Sequence, residues 1–590
     1  MHAACHYTVM ARHPASHFFQ ITLHVHHPHP QGQLLWLPNW IVGSYMIRDF
    51  ARHIVSLSAR TAQGLLLDVN KVGKNQWMVE PHAGDIRVEY EVYAWDLSVR
   101  GAHLDQFHGY FNGPCLFLAV AGQEQMPVTL DIQCPEGVEG WKVATGLTPR
   151  ATLASGFGEY EAPDYASLLD APVEMGTFDE LEFAADAMPH RMVLTGRQRA
   201  DKARLARDLA KICETCIRFW HDPAPFAGYL FQVMVTGNGY GGLEHGNSTS
   251  LMCSRDDLPL STEPERPSDK YRTFLGLCSH EYFHAWLVKR IKPAVLMQPD
   301  LERENYTPLL WVFEGFTSYY DDLILARSGV ISSQDYLDML GQQISRYLKT
   351  PGRHVQSVTE SSFDAWTKYY KPDENTPNSV VSYYIKGSLV ALCIDLTLRQ
   401  DSNNTLRLDD VMRLLWQEHG KPGIGVEPDT VQRLVERLSG RVWSSEWTDW
   451  LHGTAELPLK SLLEKQGISL NLRADSGANG QVYASLGVRG QASEGGFLLQ
   501  NVWRGGAADA AGLSAGDLII AVDGLKVSSQ LEKVIASYPV GGNLCIHAFR
   551  RDELLPFEVH LQAAPFENCA LALPSDPGLR QRAEQWILDQ

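Results

Sequence analysis

Two histidines four residues apart, His280 and His284, stand inside an apolar stretch from Leu275 to Trp286, with Glu281 directly after the first. The period of apolar residues predicts a helix over Tyr271–Lys289. On a helix, positions i and i+4 share a face, so both imidazoles turn to the same side. Unpaired imidazoles among apolar neighbours are costly to bury, and one divalent cation satisfies both. Glu281 then points beside that cation, where a carboxylate can take a proton from water. Any fold of this chain must accommodate a buried helix with this polar face.

A catalytic zinc site takes a third protein ligand and keeps one position open. Downstream, Glu314 sits among Trp311, Phe313 and Phe316 on a second predicted helix, Leu309–Leu325. A carboxylate among aromatics needs a counter-ion, and the same cation would serve. Glu302 and Glu304, in a more polar stretch, are the competing acids.

The 590 residues divide by texture into four parts. Residues 1–180 are β-rich, with alternating runs such as His17–His24 and Asp85–Trp95. Residues 181–475 are dominated by helices, among them Asp201–Trp220 and Ser379–Leu398, with one clear strand at Tyr229–Thr236. Residues 476–566 alternate short strands (Gly496–Trp503, Asp517–Val522, Asn543–Phe549) with glycine around a short helix, Ser528–Tyr538; residues 567–590 are a tail. The expected fold is therefore α+β and multidomain. With 44% hydrophobic residues the chain can build ordinary cores. The 51 basic against 69 acidic residues, net −18, disfavour nucleic acid and anionic membrane as partners.

Ten cysteines are too sparse and irregular for a disulfide scaffold. Cys213 and Cys216 have CxxC spacing without a second pair, which fits two small buried residues better than a redox or zinc site. The histidines at 24, 26, 27 and 29 lie in a proline-broken loop, where no regular element gathers them on a metal. The start of the sequence lacks a signal-peptide pattern, and no apolar run approaches ~18 residues, so a cytoplasmic protein is expected.

The pair of motifs, HExxH at 280–284 and WxxEGF at 311–316, resembles the gluzincin aminopeptidases. Gly241-Gly242-Leu243-Glu244-His245 is similar to their GxMEN segment and Tyr384-Ile385-Lys386-Gly387 to their YxKG. The segments Pro38–Phe50, Ala94–Arg100, His280–Pro293 and Phe313–Tyr320 resemble the glycyl aminopeptidase family in particular. Residues 486–488 and 506–524 (GAADAAGLSAGDLIIAVDG) resemble a bacterial-type PDZ domain.

The resemblance implies an N-terminal β-rich domain, a thermolysin-like and mostly helical catalytic domain, and a PDZ-like β module. It implies one Zn²⁺ ion on His280, His284 and Glu314, with Glu281 as general base. Glu244, with Gly241 and Gly242, would hold the free α-amino group of a peptide, and Tyr384 would donate to the oxyanion. Leu486, Gly487 and Val488 would take the carboxylate of a protein C-terminal tail. Small N-terminal residues, Gly or Ala, are the expected substrates. A PDZ-assisted endopeptidase and a non-catalytic peptide-binding scaffold are the alternatives. Leu243 and His245 depart from the Met and Asn of GxMEN, which alters the side-chain pocket. Ser318 stands where thermolysin has an Asp that supports a zinc ligand, leaving Asp321 and Asp322 as candidates for that role.

Overall fold

The computed structural model describes residues 4–477, 480–527 and 530–589. The chain forms two compact units, Met1–Asn305 with Arg327–Ile331 and Met412–Glu427, and Tyr306–Ala326 with Ser332–Val411 and Pro428–Gln590.

In the first unit an eight-stranded sheet carries the N-terminal core. Cys5–His13, Phe18–Val25 and Ile86–Tyr93 alternate buried with more exposed residues, because one face packs inward and a strand's side chains alternate. Three buried tyrosines reach the turn behind the sheet: Tyr7, Tyr90 and Tyr165 donate to the carbonyls of Leu118, Leu116 and Phe117 at 2.6, 2.8 and 2.7 Å. Those bonds satisfy main-chain groups that no strand partners.

A sheet of five strands follows in the order Phe178–Ala185, Met188–Thr195, Tyr229–Thr236, Ser248–Ser254, Gly241–Glu244. Only Tyr229–Thr236 is legible as a strand in the sequence. Gly241–Glu244 is only four residues long and Ser248–Ser254 is mostly buried, so neither shows the clean alternation that marks a half-exposed strand. Helix Lys202–Phe219 joins two parallel strands of this sheet as a crossover. Gly241–Glu244 lies at the sheet's edge. Helix Asp269–Phe283 begins at Ser268, whose hydroxyl accepts from the Tyr271 N–H. It ends at His284, earlier than the predicted Lys289. The last turn tightens to i→i+3 bonds, and Val288 then takes φ +89°, outside helical space.

The second unit contains helices Leu310–Phe313, Gly315–Arg327 (up to Ala326), Ser333–Leu348, Tyr383–Asp401 and Thr430–Ser439. The helix predicted over Leu309–Leu325 is thus broken at Glu314. A separate sheet, Val488–Ser493, Gly496–Val502, Leu518–Val522, Asn543–Arg550 and Glu553–His560 in that order, closes over its own core of Leu499, Ile519, Ile546 and Val559. Helix Leu531–Ala536 packs on it; the predicted start of that helix, Ser528, lies outside the described residues. Residues 567–590, expected as a tail, form strand Asn568–Ala572, paired with Ser469–Arg473, and helix Pro577–Leu588. Asn568–Ala572 also packs on Ser333–Leu348: Cys569 N–H donates to Ser345 Oγ at 2.8 Å.

No uninterrupted apolar run signals a membrane span, yet the helical stretch Thr376–Asp401 is long and apolar enough for one; 78% of its most apolar window is buried in the protein. It reads as a core helix, since Leu389–Leu392 are fully enclosed.

Candidate active site

The first unit supplies imidazoles and acids. The rings of His280 and His284 stand 4.6 Å apart between centroids and cross at 88°. His284 is buried, and its Nδ1–H donates to the Leu287 carbonyl at 3.1 Å, which leaves Nε2 to coordinate. The turn at Val288 makes this possible: Val288 N–H bonds the Ile291 carbonyl at 2.8 Å, and Lys289 N–H bonds His284 O at 3.1 Å. A β-branched residue with positive φ is a strained conformation, kept only where its surroundings fix it. Here Lys289 Nζ meets Asp170 Oδ1 at 2.6 Å, and Arg290 donates to the carbonyls of Gly246 and Pro225 at 3.0 and 2.8 Å.

Asp170 also fixes the neighbouring turn. Its carboxylate takes His245 Nδ1 at 3.2 Å and Gly246 N–H at 2.9 Å. Burial opposes its charge, but Lys289 and His245 beside it hold the carboxyl well below the usual carboxylate range. The residue before that turn is Glu244. It is 3% exposed, and its Oε1 has no hydrogen-bond partner among the described residues. Glycines wall both acids. A Cβ on Gly43, at φ +96°, would overlap the Glu244 carboxylate, and one on Gly242 would overlap Glu281 Oε1. Arg100 Nη2 donates to the Gly242 carbonyl at 2.9 Å. Ligand atoms of Glu244, Glu281 and His284 all lie within 4.8 Å of one another. Two imidazoles with adjacent carboxylates form a donor set that fits a zinc ion, and an orphaned buried carboxylate oxygen fits a cationic group nearby.

The second unit supplies Glu314 and Tyr384. Glu314 is buried at the helix break, and its N–H and C=O still join the ladder, to Leu310 O and Ser318 N at 2.8 Å each. Behind it Gly315 and Gly387 bring two helices into backbone contact. A Cβ on Gly387 would lie 2.7 Å from Trp311 O and 2.9 Å from Gly315 Cα. That contact explains the glycine of Tyr384-Ile385-Lys386-Gly387. Tyr384 stacks on Tyr383 at 4.7 Å, and its hydroxyl lies 3.3 Å from that of Tyr370. Burial, with Glu314 nearby, raises its phenol well above the ordinary value, so it remains a proton donor. Lys386 is fully buried, donates to Gly453 O at 3.2 Å, and is pushed down to about 8 by that burial.

In the β module, Leu486 is buried and Gly487 takes φ +71°. The carbonyls of Gly487 and Leu486 accept from Trp503 and Ala508 N–H at 2.9 and 2.8 Å. Val488 begins the edge strand of its sheet.

The other residues weighed in the sequence are placed as well. Glu302 Oε1 accepts from Asn75 and Gln76 at 3.1 and 2.6 Å, a structural role in the first unit. Asp322 takes Gln343 at 3.1 Å, while the partner found for a zinc-motif imidazole is the Leu287 carbonyl. Cys213 and Cys216 are buried, and burial raises both thiols well above the ordinary value, so neither is a ready nucleophile. His26 pairs with Asp85 at 2.7 Å rather than with the other loop histidines. Gly43, Arg100, Asp170 and Leu287 O are the site residues that motif reading did not single out. Gly43 and Arg100 fall within family-like segments, but a main-chain carbonyl and a distant aspartate leave no pattern.

A family model described as M61 glycyl aminopeptidase matches residues 273–390, and one for the peptidase M61 N-terminal domain matches residues 6–177. A PDZ domain model matches residues 463–548. The crystal structure of an aminopeptidase N family protein from Idiomarina loihiensis is 42% identical, with a TM-score of 0.95 over 99% of this chain and 100% of that one. An M1 zinc metallopeptidase from Deinococcus radiodurans is 14% identical, with a TM-score of 0.46 over 77% of this chain and 94% of that one. Native yeast LTA4 hydrolase is 12% identical, with a TM-score of 0.45 over 77% of this chain and 68% of that one. Likenesses that slight carry no argument about chemistry. No match was found among curated protein sequences. With its N-terminal, peptidase and PDZ parts all matched and a relative alike from end to end, the chain belongs to the M61 glycyl aminopeptidase family.

Proposed function

We propose that this chain is a zinc-dependent aminopeptidase that removes small N-terminal residues, glycine or alanine, from peptides with a free amino terminus. One Zn²⁺ ion would be held by His280, His284 and Glu314. When bound, it supplies a lowered water pKa and polarisation of the scissile carbonyl. The chain's own groups do the rest. Glu281 accepts a proton from the attacking water and passes it to the leaving amine. Tyr384 donates a hydrogen bond to the oxygen on which negative charge develops. Glu244 pairs with the substrate's α-ammonium group.

The observation that carries this reading is the buried Glu244 carboxylate, one oxygen of which has no hydrogen-bond partner among the described residues, beside Glu281 and His284. Burying an anion without a partner is unfavourable, and a substrate ammonium removes that penalty. An acetylated terminus has no charge to offer. The preference for glycine or alanine rests on the family, with the crowding of Glu244 by Gly43 in support. The PDZ module would receive C-terminal tails by strand addition at Val488–Ser493, their carboxylate at Leu486, Gly487 and Val488. Ten unpaired thiols suit a reducing compartment such as the cytoplasm.

Metal analysis with a paired panel of aminoacyl anilides, free and N-acetylated, tests the reading. The expected result is about one zinc per chain and turnover of free glycyl and alanyl substrates only. Equal turnover of acetylated peptides would establish an endopeptidase instead. For Glu244→Ala, an equal loss on free and blocked substrates would remove the amine-anchoring role.

A further inference from the structure

Residues Lys371–Asn375 form an exposed loop, followed by the short helix Thr376–Ser379. The two ends of this excursion carry the phenols of Tyr370 and Tyr384, whose hydroxyls lie 3.3 Å apart. Tyr369 OH meets Ser382 Oγ at 3.2 Å, and Ser382 in turn caps helix Tyr383–Asp401 through Ile385 N–H. The excursion is thus closed at its base by tyrosines, with Tyr384 two residues beyond the cap.

Its tip is gripped by the PDZ module. Asn378 Nδ2 donates to Val502 O at 2.9 Å, while its Oδ1 accepts from Arg504 N–H at 3.0 Å. Asn501 Nδ2 donates to Glu374 O at 2.9 Å. Asn378 and Asn501 are only 6% and 4% exposed, although the loop around them is open. A buried amide that satisfies both a donor and an acceptor on another segment fixes that segment's position, because either bond left unmade is costly. The strand end that makes this grip also holds the Gly487 turn, through Trp503 N–H to Gly487 O.

We infer that the PDZ module is a working part of the hydrolytic site, and that Asn378 is a positioning residue by which it sets Tyr384. The inference rests on Tyr384 as the oxyanion donor. Its logic is geometric: a hydrogen-bond donor aimed at a developing charge loses effect when its backbone is free to shift.

The test is a double-mutant cycle on the full-length, zinc-loaded enzyme. Asn378→Ala should lower kcat roughly three- to tenfold, with KM and zinc content unchanged. Asn378→Asp keeps the acceptor for Arg504 N–H but sets a buried carboxylate oxygen against the Val502 carbonyl, so it should lower kcat at least as far as Asn378→Ala. In a Tyr384→Phe background, Asn378→Ala should cost nothing further. Should Asn378→Ala misfold, Asn501→Ala removes the grip at the loop's other end and should give the same pattern. An unchanged kcat, a change confined to KM, or an equal factor in the Tyr384→Phe background would overturn the inference. If Tyr384→Phe alone were as active as wild type, the failure would lie with the oxyanion role itself.

Discussion

The imidazole face of the first unit and the tyrosine face of the second are held in different ways. His284 and Glu244 are fixed by polar contacts on irregular chain: the Leu287 carbonyl, the strained Val288 turn, and the Asp170–Lys289 pair with its hydrogen bonds to His245 and Gly246. Tyr384 is positioned by shape, through glycine-to-glycine helix contact and stacked aromatics. A group that must coordinate a cation needs its ring nitrogen and tautomer specified, which hydrogen bonds do. A group that donates one hydrogen bond needs only a rigid origin, which packing provides.

The sharpest probe of the polar half is Glu281→Gln, which should cut turnover roughly 10²–10⁴-fold while the protein keeps its zinc. A variant of undiminished rate would remove the proposed base. Tyr384→Phe probes the packed half and should lower kcat about 10²–10³-fold, with metal content intact. Steady-state kinetics with metal analysis decide both.

Two further variants separate polar from steric support. Gly387→Ala forces a methyl against Trp311 O and Gly315 Cα, both backbone, and should cost about 3 kcal/mol, the upper end for overpacking. The denaturant midpoint reads it, and a neutral result would mean that the helix contact is not tight. Asp170→Asn leaves Lys289 buried without its counter-charge. The expected cost is about 2 kcal/mol, below that of a fully buried pair because the Asp170 side chain is 32% exposed.

The pH dependence of that last variant is signed. Asp170's folded carboxyl titrates below its unfolded value of about 3.9, so its contribution is complete above roughly pH 4 and fades as pH falls through the folded value. The gap in stability between wild type and Asp170→Asn should therefore be constant from pH 5 to 8 and close in acid. A gap that widened in acid would contradict the pairing with Lys289.

Much of this was legible beforehand, for reasons visible in single residues. Helix Lys202–Phe219 and strand Tyr229–Thr236 follow from period and flanks, since an amphipathic element writes its burial into its own sequence. The ends of the two motif helices were not. The first stops at His284 because Lys289 and Arg290 find partners on other segments, and the second breaks at Glu314 where Gly315 meets Gly387. Both causes lie far away in sequence, where local propensity cannot register them. Strand Gly241–Glu244, half of it glycine and paired along one side only, carries almost no propensity signal.

The sequence by itself determined which chemical groups this protein owns and in what order: two imidazoles and an acid on one helix, a second acid among aromatics, a tyrosine beside a lysine and a glycine. Side-chain chemistry and helical spacing are local properties, and local properties survive in a linear string. Tertiary structure alone decided what holds those groups still, from the Leu287 carbonyl and Asp170 to Gly43 against Glu244 and Asn378 against the PDZ module. Such supports act between distant segments, often through main-chain atoms common to every residue, and so leave no mark on residue identity.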